Sequence, residues 1–206
     1  MVLVRVHNMR YVAETATQRG VHHNLKGKSV AGEHTTAQAR RVVSGLDQSG
    51  KSTVVADEST PVRLQAPGMT ICDIWQVGKL PVNVIDDDAT TGHVLLNPPS
   101  TGWVYRVTTK APDSEWDVAG EYGAMLEAMG SGDALQDDGS GLAGLHQSET
   151  VDIVTVVSGE LVAVLETQEV TLRPGDSFVT RGVKHSWSNR TDKPVVLVCL
   201  QAGAIR

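Results

Sequence analysis

The sequence predicts an all-β domain, an antiparallel sandwich or barrel with one short helix. Two observations carry this. Apolar runs of strand length, rich in Val, Ile, Thr and aromatics, recur at spacings near ten from residue 40 onward. Turn residues separate them, in LDQSGK, QAPG, DDDATTG and PPSTG. A third observation excludes the main rival: strands do not alternate with long helical periods, so no βαβ units are expected.

In chain order, residues 1–39 show no sustained period of 2 or 3.6 and read as an irregular, flexible N-terminal extension that packs little on the fold. They hold His7, His22, His23 and His34 with no cysteine beside them, which reads as solvated tail rather than a metal site. From Arg40 the pattern changes to short apolar runs, and STVVADE, PVRLQ, MTICDIWQV, HVLLNPP and WVYRVTTKAP each predict a strand. In EYGAMLEAMG, Tyr122, Met125, Leu126 and Met129 fall at i, i+3, i+4 and i+7, which predicts a short helix ending at Gly130. SGDALQDDGSGLAG reads as a mobile loop. Strands resume in DIVTVVS, LVAVLE, EVTL, SFVT, HSWSN and VVLVCLQ.

The 206 residues suffice for one domain with a real core. The net charge of −6 argues against a nucleic-acid partner. That charge is uneven: residues 1–41 carry seven Lys/Arg against two acids, which leaves eleven against twenty-two in the remainder. No stretch reaches the ~18–20 apolar residues of a membrane span, and MVLVRVHNMR lacks a signal-peptide apolar core. Cys72 and Cys199 sit in apolar runs without CxxC spacing, as buried free thiols do in a reducing compartment. A cytoplasmic protein is expected.

The stretch HQSETVD, residues 146–152, concentrates the chemistry. In an extended strand, side chains two apart share a face, so His146, Ser148, Thr150 and Asp152 line one side and Gln147, Glu149 and Val151 the other. Glu149 is thereby turned away from the other polar groups. Trp187, two residues after His185, shares that residue's face. Arg106 is a candidate contact for a substrate carboxylate, and His93 reads as a structural histidine near a strand start.

These residues carry a resemblance to the cupin superfamily. His146 takes the first histidine place of the first cupin motif and Gly159 its closing glycine. Ser148 stands where the second histidine belongs, and Asp152 where glutamate belongs. PGDSFVTRGVKHSWSN resembles the second motif, with Gly175, Gly182, His185 and Asn189 in place and Thr180 for its proline. The resemblance is strong over 141–202 and looser over 40–118. It implies a jelly-roll barrel over 40–206, a small-molecule substrate and a homodimer, since cupins often pair through N-terminal strands such as MVLVRV.

It further implies a metal-supported oxidoreductase of secondary or aromatic metabolism. His146, Asp152 and His185 would hold a divalent Fe, Ni, Mn or Zn ion, and no nucleotide cofactor is implied. Such a set leaves open positions for water, oxygen or substrate. Two other readings stand beside it. One is a metal-free or metal-assisted dehydratase, isomerase or decarboxylase with His146 and His185 as catalytic groups; the other is a binding barrel without turnover. In each, Ser148, Trp187 and Arg106 are the expected substrate contacts. Geometry sets one condition. A straight strand would leave His146 and Asp152 ~20 Å apart, so the chain must bend near Glu149–Val151.

Overall fold

A computed structural model describes residues 33–85, 92–136 and 139–206. Expectations for residues 1–32 lie outside the described residues. Strands dominate: β1 (Arg40–Leu46), β2 (Ser52–Ser59), β3 (Arg63–Ala66), β4 (Met69–Val77), β5 (Trp103–Lys110), β6 (Thr150–Ser158), β7 (Leu161–Leu165), β8 (Glu169–Leu172), β9 (Ser177–Arg181), β10 (His185–Ser188) and β11 (Val195–Gly203). One α-helix, α1 (Val118–Ala128), interrupts them. A six-stranded sheet in the order β3-β4-β5-β11-β6-β9 faces a three-stranded sheet β10-β7-β8, and every pairing is antiparallel. This is a jelly-roll barrel. β1 and β2 form a separate hairpin, closed by the cross-strand ion pairs Arg40–Asp57 and Arg41–Glu58.

Alternation fixes which residues look inward. Along β11, Val195, Leu197, Cys199 and Gln201 are buried, and the residues between them are half-buried. Along β6, Thr150, Asp152, Val154 and Val156 are buried, while Val151 and Ile153 are exposed. The apolar members pack with Leu161, Ala163 and Leu172 into a core between the sheets. A second apolar cluster joins β4 to the helix, where Met69, Ile71 and Leu96 meet Tyr122, Met125, Leu126 and Met129. Leu126 is wholly buried, a burial that contributes roughly 2–3 kcal/mol. The helix begins at Asp117, whose carboxylate accepts from the Gly120 N–H at 3.0 Å, and stops at Gly130 with φ +72°.

Three expectations need correction. HVLLNPP forms no strand. Val94 and Leu96 are buried against the helix cluster, but the backbone N–H of Leu96 bonds to the Met129 carbonyl at the helix end rather than to a neighbouring strand. Pro98 and Pro99 lack the N–H a ladder requires. The segment SGDALQDDGSGLAG is held in part, since Leu135 bridges to His146 and the Gln136 N–H donates to the Leu145 carbonyl at 2.8 Å. Residues 33–39, expected to pack little, lie against β3. His34 is buried beside the Ala66 carbonyl, and the Arg63 guanidinium donates to the carbonyls of Ala37 and Thr35. Both Cys72 and Cys199 are buried free thiols, as expected.

Candidate functional site

The barrel interior holds a cavity of about 90 Å³ between the two apolar clusters. Methionine and leucine side chains from β4 and α1 line one end; His146, Ser148, Asp152, His185, Trp187 and Gln201 line the other. Two histidines thirty-nine positions apart meet there because their backbones pair. The His146 N–H donates to the His185 carbonyl at 2.9 Å and the His185 N–H returns the bond at 3.0 Å. Directly opposed residues place their side chains on the same face, and the two imidazoles lie 4.3 Å apart between centroids.

His146 thus belongs with the small sheet, while Asp152 pairs with Gln201 and Thr180 in the large one. The chain crosses between sheets over residues 147–149, the bend that the spacing required. Gly182 helps fix that corner. Its φ is +63°, and a Cβ there would stand 3.0 Å from the Ser148 carbonyl, so the turn before His185 packs on the Ser148–Thr150 backbone.

Each imidazole is tethered the same way. His146 Nδ1 lies 3.0 Å from the Gly144 carbonyl, and His185 Nδ1 lies 2.8 Å from the Val183 carbonyl. A carbonyl only accepts, so both Nδ1 atoms carry the proton and both Nε2 atoms keep a bare lone pair. The Tyr122 hydroxyl sits 3.2 Å from the same His146 nitrogen. Burial and the neighbouring His185 hold the His146 pKa down to about 3. Burial also lowers His185, against a pull upward from the Val183 carbonyl and the Asp152 charge. Both rings are neutral near pH 7.

Asp152 shares the cavity wall with both histidines. Its Oδ2 accepts from Gln201 Nε2 at 3.2 Å, while its Oδ1 is buried with no hydrogen-bond partner. Burial pushes its carboxyl up, opposed by Thr150 and Gln201. Tethered, neutral imidazoles are what a metal ligand requires. Among the described residues, however, no three His, Cys, Asp or Glu side chains converge to hold an ion. Asp152 lies in the other sheet and its carboxylate is turned toward Gln201, so the His146–Asp152–His185 set does not fit a metal centre as it stands.

The remaining candidates separate cleanly. Ser148 lines the cavity and hydrogen-bonds the Thr150 hydroxyl at 2.7 Å. Trp187 is half-buried in the wall, edge-on to His185 at 5.3 Å. Arg106 also lines it, but its charge is held by Asp73 at 3.0 Å and its Nη2 donates to the Leu95 carbonyl at 2.8 Å. It is therefore committed to structure rather than offered to a ligand. Glu149 is exposed, as its parity predicts, and His93 is exposed. Trp75, Trp103 and Tyr105 lie outside this cavity.

Sequence reasoning missed Lys110, Tyr122 and Gln201. Lys110 is 1% exposed, pairs with Asp113 at 2.9 Å and sits over the Trp116 ring. An inward parity on β5 shared with Arg106 was the signal that could have found it. Gln201 was legible the same way, on the inward face of β11.

The cupin domain family matches residues 134–201. No curated protein matches the chain. Among solved structures, the chain is similar to the cupin domain of Schizosaccharomyces pombe Cnp3 at 10% identity and TM-score 0.41, covering 80% of this chain and 87% of that one. It is similar to a putative ethanolamine utilization protein from Salmonella typhimurium at 10% identity and TM-score 0.39, covering 82% and 99%. It is also similar to the Cupin_2 domain of an XRE family transcriptional regulator from Enterobacter cloacae, at 15% identity and TM-score 0.35, covering 67% and 99%. With a jelly-roll barrel in place and the domain match spanning both histidines, residues 134–201 carry a cupin domain.

Proposed function

We propose that this barrel binds a small molecule and moves a proton on it, as a dehydratase, isomerase or decarboxylase does, with His185 as the base. The observation that carries the reading is the pair of bare Nε2 atoms beside a buried cavity, each fixed by a carbonyl on the opposite ring nitrogen. His185 accepts the substrate proton at Nε2, and the electrons of the broken bond stay on the substrate. The Asp152 charge favours the imidazolium so formed. His146, whose pKa burial and the neighbouring His185 hold down to about 3, stays neutral and accepts a hydrogen bond that orients the substrate. Return of the proton to a different atom completes an isomerisation, and its delivery to a leaving hydroxyl completes a dehydration.

The test is solvent deuterium uptake. Purified protein in heavy water, with a panel of small carbonyl and hydroxy compounds, should wash deuterium into at least one of them by proton NMR. His185→Gln should abolish that exchange. Ligands that bind with no exchange would leave a binding barrel and overturn the reading. Exchange that a chelator abolishes while metal content is stoichiometric would overturn the metal-free form of the reading and replace it with metal-assisted proton transfer.

A further inference from the structure

The polar end of the cavity is uneven in a way the histidines do not account for. Two buried acceptors there have no hydrogen-bond partner among the described residues, Oδ1 of Asp152 and Oε1 of Gln201. Nε of Arg106 has none either but lies 3.0 Å from Asp73 Oδ1 in an ion pair, and the tautomers leave a lone pair on Nε2 of each histidine. Asp152 and Gln201 are 4% and 6% exposed and sit opposite one another on β6 and β11. A buried acceptor without a donor costs about 1–3 kcal/mol, so an occupant must bring the N–H or O–H groups.

Charge narrows the class. The cations of the wall are Arg106 and Lys110, and each already has its own carboxylate, Asp73 and Asp113. Asp152 is left over, felt by Arg106 from β5 and by His185 from β10 but ion-paired with neither among the described residues. Of the residues that line the cavity, Asp152 is the carboxylate, and the two cations beside it are held from behind by Asp73 and Asp113. Trp187 and several methionine and leucine side chains line the same cavity. A carboxylate and an indole in an apolar cavity are the chemistry that recognises an alkylammonium.

We propose that the cavity takes a small primary organic ammonium ion, its N–H groups donating to Asp152 and Gln201 and its short apolar body lying against Met69, Met125 and Leu126. This rests on the proposed function only in placing the substrate at the polar end of the cavity. It names the substrate class: an amine-bearing molecule of a few heavy atoms, which the ~90 Å³ of space accommodates.

The experiment compares three molecules of equal size, n-butylamine as its ammonium form, n-butanol and n-butyrate, by titration calorimetry at pH 7.5. Butylammonium should bind at least about tenfold more tightly than either counterpart. Asp152→Asn should remove that preference while leaving butanol affinity unchanged. Trp187→Leu, a change at the half-buried rim that tests the same site if the first variant does not fold, should weaken butylammonium about threefold or more. Butyrate or butanol binding as tightly as butylammonium overturns the inference, as does a preference that survives both substitutions. A divalent metal held stoichiometrically against n-butylamine also overturns it. Cation preference without deuterium exchange keeps this inference and sinks proton transfer; exchange confined to anionic substrates does the reverse.

Discussion

The large sheet buries one carboxylate in its front wall, where β4 pairs with β5, and one in its back wall, where β6 pairs with β11, and treats them differently. On the front, Asp73 of β4 faces Arg106 of β5 in direct register, its second oxygen takes the Gln76 amide at 2.7 Å, and neither member of the pair is more than 5% exposed. On the back, Asp152 of β6 has a glutamine and a threonine as its cross-strand neighbours and no ion-pair partner among the described residues. The difference separates structure from function. A buried charge whose partner is built into the sheet is satisfied, whereas one left unpaired at a cavity is available to something outside the chain.

The comparison breaks most visibly at Arg106. Arg106→Met strands Asp73 as an uncompensated buried charge, and chemical denaturation should show a loss of about 3–5 kcal/mol. A loss below about 1 kcal/mol would mean that the front wall is no more settled than the back.

Next in size is the response to acid. The unfolded chain protonates His146 near 6.5 but the folded one only near 3, so between those values the unfolded state binds more protons. Stability from this group is complete above pH 6.5 and falls by about 1.4 kcal/mol per unit as pH drops toward 3. His146→Gln should flatten that slope between pH 6 and 4 in parallel denaturation curves. Equal slopes would show the ring to be hydrated.

The smallest effect has the opposite sign. A folded pKa raised by burial means that Asp152 destabilises the fold once ionised, so stability is lost as pH rises from the ordinary carboxylate range through the raised value. Asp152→Asn should therefore melt slightly above wild type at pH 7 and approach it near pH 4. The same exchange at Asp73 should melt lower, because it removes the partner of Arg106. If both exchanges moved stability in one direction, the two walls would be alike.

Much of this was legible from residue order. Period two predicted that His146, Ser148, Thr150 and Asp152 face inward with Glu149 turned out. All four are buried and Glu149 is exposed, and the alternation continues along β6 from Thr150 to Val157, although His146 joins the other sheet. The runs MTICDIWQV and EVTL are β4 and β8 to the residue. HVLLNPP failed because the alternation of Val94 and Leu96 records burial against a helix, which period alone does not distinguish from burial in a sheet. Residues 33–39 failed because their attachment runs through the side chain of Arg63, on a strand 26 residues after Ala37.

The sequence by itself determined the strands, their inner faces, the helix and the two histidine-bearing segments, because those follow from side-chain alternation and turn chemistry a few residues wide. Only the tertiary structure decided which charges are spent and which are free. Arg106 meets Asp73 through the register of β4 with β5, Lys110 lies buried over Trp116, and Asp152 faces a glutamine because β11 intervenes between β6 and β5. Cross-strand partnership depends on register between segments tens of residues apart, and local sequence does not carry that register.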